Sequence, residues 1–389
     1  MMNKIIRGII PALLITLPIG SVYAFSLFST DISTYINCSF KEIQFAFSLS
    51  IFFLGMGAAF GGSIVEKNIN KSALLASGLF CMGLIITSIG ISLHNIWFIY
   101  VGYGFLCGIA QGIGYLTPVK TLLMWFPKNK GLATSISIIS FGLGSGLCTI
   151  LHNYIYPYTG INNIFYVLSV IYFIMMVVGA ILIKKPYIEQ KTTISNTNFN
   201  YKIIFKDKFF ILSWLFMFLN ISAGLSLIGS SVNIFKELNT QQNIIVLLML
   251  LAGIFNGGFR LVFAWISDLL NNRRNIWIYI SVLSIILMLL SSIIPQTLVI
   301  TIILINACYG GGFSTIPSIL SERYDLNCLS RVHGLVLSAW GIAGLIGNNI
   351  STLLYSLSGS FLYIPVLLTV IYIINLFISL TLRKISLHE

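Results

Sequence analysis

Residues Gly253–Asp268 read GIFNGGFRLVFAWISD. Arg260 is the only charge in this stretch before the closing Asp268, and the apolar run reaches back to about Asn243. A run of that length is a membrane span. A guanidinium cannot shed its proton and is costly at membrane depth, so it faces a cavity and takes an anionic partner. Helix geometry sets the depth. The eight residues from Arg260 to Asp268 make about 12 Å of helix, and the hydrocarbon midplane lies about 15 Å from either edge. Arg260 therefore stands near mid-membrane, displaced toward the Asp268 end. The competing explanation is snorkelling of the long side chain to the nearer headgroups.

The partner is not another residue at that depth. Asp31, Glu42, Glu66, Glu189, Asp207, Glu237, Asp268, Glu322, Asp325 and Glu389 all fall in loops, tails or span ends, as do His94, His152, His333 and His388. An anion that comes and goes is the simplest match for Arg260. The same absence removes the usual intramembrane carboxylate relay for protons, which points to exchange, facilitated transport or a proton carried on the substrate.

The whole chain shares this character. Of its 389 residues 57% are hydrophobic and 8% charged, against about 25% charged in a soluble protein. The net charge of +12 raises nucleic acid as a partner, but the basic residues alternate between loops. Lys4 and Arg7, Lys67 and Lys71, Lys128 and Lys130, Lys184 to Lys208, Arg273 and Arg274, Arg323 and Arg331, and Arg383 and Lys384 occupy one set of loops; the other set holds only Lys41 and Lys236. That asymmetry puts both termini in the cytoplasm and argues against a nucleic-acid partner; the chain is expected to be an integral, monomeric protein of a prokaryotic plasma (inner) membrane. Lys120, close to Trp125 and Lys128, reads as a snorkelling lysine. The six cysteines form no CxxC pair and read as reduced packing residues, with no metal site or cofactor. The N-terminal apolar run is signal-like and reads as an uncleaved first helix. No nucleophile–base arrangement or phosphate loop is present, so the chain is not read as an enzyme.

About twelve spans fit the apolar runs. The long polar stretch sits in the middle, giving residues 1–184, a linker 185–207 and residues 208–389. The halves echo each other. Gly112–Pro118 (GIGYLTP) returns as Gly311–Pro317 (GGFSTIP), and Gly62–Glu66 (GSIVE) followed by Lys71 returns as Ala264–Asp268 (AWISD) followed by Arg273. Two matched halves imply parallel repeats around a central cavity. An acid beside basic residues at a helix end is a latch that can break when helices move; here it comprises Glu66, Lys67 and Lys71, and Asp268, Arg273 and Arg274. Glycines four apart in span four, and glycine clusters in spans five and eleven, read as places where helices approach and slide.

The acidic–basic loop resembles the signature loop of the major facilitator superfamily. Gly112–Pro118 with Lys120, followed by WFPKNKGLA at Trp125–Ala133, resembles the oxalate/formate antiporter family within it, a relative of the monocarboxylate carriers. Tyr23–Phe28, Asn256–Asp268, Tyr309–Pro317 and Ser338–Gly347 resemble spans one, eight, ten and eleven of that family. The resemblance implies the major facilitator fold: an all-α membrane protein of about twelve transmembrane helices in two six-helix pseudo-repeats. It also implies that Arg260 grips a substrate carboxylate and that Tyr23 is a cavity aromatic. Trp340 stands where oxalate carriers place a second cation, and Asn256 where monocarboxylate carriers place an Asp.

One fixed charge favours a small monocarboxylate such as lactate, pyruvate or formate over a dianion. The expected binding set is Arg260, Tyr23, Tyr115, Gln111, Asn256, Tyr309 and Trp340, in a secondary or exchange carrier working by alternating access. The alternative is a carrier of another small metabolite or an apolar compound, with Arg260 structural.

Overall fold

The computed structural model describes residues 2–186 and 200–386. The expected linker falls partly outside the described residues, as do Glu189, His388 and Glu389. Among the described residues eleven helices are long and apolar enough to cross a membrane, and there is no strand. The longest, Lys130–Leu182, is two spans: its 53 residues turn at Gly160, whose φ of 62° is left-handed. A straight helix of that length would measure about 80 Å, more than twice the hydrocarbon thickness. The twelve spans are α1 (Met2–Ala24), α2 (Phe40–Lys67), α3 (Ile69–Ser92), α4 (Ile96–Trp125), α5 (130–159), α6 (161–182), α7 (Lys208–Glu237), α8 (Gln242–Leu269), α9 (Asn275–Ile293), α10 (Leu298–Arg323), α11 (Leu329–Ser358) and α12 (Ile364–Lys384).

The first span departs from the uniform helix expected over residues 7–30. Pro18 has no N–H to continue the ladder. Ser21–Ala24 then winds as a 3₁₀ turn, and Ser26–Ile36 resumes the helix. Gly20 lets α5 pack directly against this turn, because a Cβ there would come within 1.9 Å of the Phe141 carbonyl oxygen. The irregular turn is what carries Tyr23.

Among the first six helices, α1 and α3 pack on the α5–α6 hairpin and α2 on α4; among the last six, α8 packs on α10, α7 on α11 and α12, and α9 on α12. The two sets meet mainly along α2–α11 and α5–α8. At the end bearing the termini the seam is tight: an added Cβ on Gly62 would meet Ser330 O at 2.5 Å, and one on Gly334 would meet Ala58 O at 2.0 Å. Toward the opposite end α2–α11 stays in contact as far as Gly344, whose Cβ would meet Ile51 Cγ2 at 2.7 Å, whereas a Cβ on Gly142 or Gly146 of α5, or on Gly253 or Gly257 of α8, meets nothing within 4 Å. The seam is closed at the termini-bearing end and loosens between α5 and α8 toward the other. The α4 glycines do not serve this seam; Gly104, Gly108 and Gly112 pack on Leu49, Ser50 and Leu54 of α2, within the same set.

Candidate functional site

Arg260 sits where the seam closes. It is 4% exposed, and it neither snorkels nor pairs with an acid among the described residues. Its Nε and Nη2 both donate to Asn256 Oδ1, at 3.2 and 3.0 Å, and Nη1 donates across the seam to the Ile138 carbonyl of α5 at 3.1 Å. All three acceptor bonds are to neutral oxygens. The guanidinium also lies 5.5 Å from the centroid of the Phe313 ring, a cation–π distance. Asn256 is held in turn by α10: its Nδ2 donates to Asn306 Oδ1 at 3.3 Å, and Asn306 Nδ2 donates to the Ile302 carbonyl at 2.9 Å. Ser135 and Ser314 donate to the backbone carbonyl of Arg260 at 3.2 and 2.9 Å. α10 comes this close because a Cβ on Gly310 would stand 2.3 Å from Asn256 O.

The expected tyrosines gather around this cation. Tyr23, Tyr115 and Tyr309 all lie within electrostatic reach of Arg260. Tyr23 is half-buried and meets Phe141 edge-on at 5.5 Å. Tyr309 lies beside Trp340. Trp340 stacks edge-on against Phe313 at 4.7 Å and Phe141 at 6.1 Å, and Tyr115 completes the layer against both phenylalanines at 5.9 Å. This aromatic floor joins α4, α5, α10 and α11 and separates Asn256 and Tyr23 on the open side from the closed seam. Gln111 is not brought to the group. It is buried between α2 and α4, accepting from Ser50 at 3.5 Å.

Two basic side chains depart from the expected placement. Lys120 does not snorkel. It is 3% exposed, facing Glu66 and Arg331. His333 is not at a surface but 2% exposed, its ring 5.9 Å from that of Tyr115 across the seam. Tyr115 Oη, His333 Nε2, Ser137 Oγ and Ser330 Oγ are buried with no hydrogen-bond partner among the described residues.

The latch is also rearranged. Lys67 and Lys71 are exposed and enter no ion pair among the described residues. Successive helix positions point about 100° apart, so Lys67 lies exposed on the outer flank while Glu66 points inward. Glu66 instead pairs with the Arg331 guanidinium and accepts the Arg331 backbone N–H at 3.0 Å. Asp268 accepts the Gly131 backbone N–H at 3.1 Å and pairs with Arg273 at 3.2 Å. Arg273 and Arg274 reach Glu322 at 3.8 and 3.9 Å. Each acid thus caps the first turn of a helix in the other set, α11 and α5, where N–H groups lack intrahelical partners and the helix dipole favours negative charge. Gly62 and Ala264 lie one turn before the acids and leave room for those helix ends. Beside this network, burial and the Asp207 carboxylate hold the Tyr324 phenol above its ordinary range, so it remains a donor to Asp207.

Neutralising one cap should loosen the closed end. A hydrogen bond to a charged group contributes about 1.5–3 kcal/mol. Glu66→Gln is therefore expected to raise the maleimide reactivity of a Ser330→Cys reporter by about 10- to 100-fold, in a background without the native cysteines. Unchanged reactivity would mean that the cap does not hold the seam.

Comparison with known proteins agrees with this architecture. The Major Facilitator Superfamily profile matches residues 12–348. The MFS-type transporter YhjX of Escherichia coli (strain K12) is 28% identical over 339 residues, spanning 84% of this chain and 82% of that protein. The oxalate:formate antiporter of Oxalobacter formigenes is 22% identical over 355 residues, spanning 90% and 84%. Among solved structures, the proton:xylose symporter XylE bound to 6-bromo-6-deoxy-D-glucose superposes with a TM-score of 0.73 at 12% identity, covering 95% of this chain and 94% of that one. With this profile over most of its length and this helical body, the chain belongs to the Major Facilitator Superfamily, an integral membrane transporter and not an enzyme.

Proposed function

We propose that this transporter carries small carboxylate anions, monocarboxylates such as lactate, pyruvate or formate, by alternating access. The observation that carries the reading is Arg260: a buried, permanently charged fork at the α5–α8 contact, hydrogen-bonded among the described residues to neutral oxygens. A carboxylate entering from the open end would replace the Asn256 amide or the Ile138 carbonyl as acceptor with a charge-assisted, bidentate pair. Tyr23 and Tyr309 offer hydroxyls beside it, and the aromatic floor excludes water. The charge count supports a monoanion. Lys120 and Arg331 lie beside Glu66 rather than in the cavity, so Arg260 is the cation that faces the substrate.

Residues 1–184 and 208–389 are proposed to rock as two bodies, joined through 185–207. The basic loops support an orientation with both termini in the cytoplasm, and the membrane is proposed to be a prokaryotic plasma membrane. The closed end then faces the cytoplasm, and the cavity opens outward. The protein is proposed to work as a monomer, with the bilayer as its solvent.

Uptake of labelled lactate, pyruvate, formate and oxalate into proteoliposomes tests the substrate class. Monocarboxylate uptake that saturates is expected. Robust oxalate exchange without monocarboxylate uptake would overturn the charge count. One observation favours a second reading, in which another metabolite is carried and Arg260 is a clamp between α5 and α8: its Nη1 bond to Ile138 ties the two sets directly.

A further inference from the structure

An apolar groove of about 420 Å³ opens on the outer flank of the seam, at the closed end. Met56 and Phe60 of α2 form one wall, Ile211 and Trp214 of α7 the other, and Leu335 and Ser338 of α11 the back. Phe60 is 76% exposed, so the groove faces the bilayer and not the central cavity. Its polar groups satisfy each other, because the Trp214 indole N–H donates to Ser338 Oγ at 2.9 Å. Nothing polar is left to anchor a polar ligand. The volume would hold about 14 waters at about 30 Å³ each, but an apolar cleft stays dry and takes an apolar occupant.

The rim has a different chemistry. Lys67 lies seven residues after Phe60 and Lys208 three before Ile211, so each shares a helix face with a groove residue. Both are exposed. The short helix Tyr201–Ile204 and Phe205, which also lines the groove, present exposed Ile203 and Phe205 beside Lys202 and Lys206. Aromatic and basic residues side by side make an interfacial segment. The acids at this corner are already engaged: Glu66 holds Arg331, and Asp207 holds Arg323 and Tyr324. The lysines are left as a positive mouth over an apolar slot.

We infer that the groove holds an acyl chain of an anionic phospholipid whose headgroup rests on Lys67 and Lys208. Its walls come from α2 on one side of the seam and α7 and α11 on the other. Parting the seam separates the walls and destroys the site. The lipid therefore binds the closed-end form and shifts the equilibrium toward it by mass action. The site is distinct from Arg260 and stands whatever the carrier transports.

Native mass spectrometry of the full chain in mild detergent, with phosphatidylglycerol or phosphatidylcholine of equal chain length, tests this directly. One phosphatidylglycerol is expected to stay bound per chain under conditions that strip phosphatidylcholine. Lys67→Gln with Lys208→Gln should weaken retention by about fivefold per lysine, about 25-fold together. Ala59→Phe, which fills the groove from its α2 wall, should abolish retention while the protein still elutes as one species with unchanged helical circular dichroism. Equal retention of the two lipids, or retention unaffected by either variant, would overturn the assignment.

Discussion

Arg260→Gln is expected to cut carboxylate uptake by at least about 30-fold while leaving the protein folded. Truncating one partner of a buried charge pair costs about 2–5 kcal/mol, and each 1.4 kcal/mol is tenfold. Arg260→Lys keeps the charge but loses the planar fork, so it should recover only part of the rate. Stability moves the other way. The guanidinium is buried against neutral oxygens only, and its desolvation is not offset by an ion pair. Glutamine removes the charge and keeps an amide for Asn256, so the melting temperature should hold or rise. If Arg260 is a clamp, uptake survives and the melting temperature falls. The two readings therefore give opposite signs in two measurements on one variant.

Gly334→Leu is expected to stop transport with a comparable loss. Its first added carbon would lie 2.0 Å from the Ala58 carbonyl oxygen, and backbone cannot step aside as a side-chain tip can. The α2–α11 seam must part, while packing within each set of six helices is untouched. The variant should fold, remain open at the termini-bearing end, and expose the Ser330→Cys reporter. Gly78→Leu, on α3 and away from the seam, is the control. Its Cβ meets nothing within 4 Å, and leucine is the better helix former, so uptake should stay within about twofold of wild type. Equal loss in both variants would show that bulk anywhere in these helices is harmful and that the closed seam has no special role.

Much of this body was legible because the bilayer leaves few options. Only self-satisfied helices cross it, so apolar run length and alternating basic loops give the spans directly. Helical rise placed Trp340 about 14 Å inside Arg331, level with Arg260, and both side chains meet the Phe313 ring. What stayed hidden was direction and distance in sequence. Glu66 and Lys67 are neighbours, yet one turns to α11 and the other to the flank. The true partner, Arg331, is 265 residues away. Asn306 had no signal beyond a polar side chain in an apolar run, and the Ile138 carbonyl had none at all. His333 looked terminal because it follows Arg331 closely, but α11 begins at Leu329, which puts His333 inside the seam.

The unpartnered Tyr115, His333, Ser137 and Ser330 atoms on the closed side bear on the energetics of turnover. Each polar group shut away without a bond costs about 1–3 kcal/mol. Packing and two capped helix ends must outweigh that sum for the structure to stay shut. When the seam parts, bulk solvent supplies the missing bonds, so hydration enters the opening step as a reactant. Opening is therefore expected to slow when an excluded osmolyte lowers the activity of water.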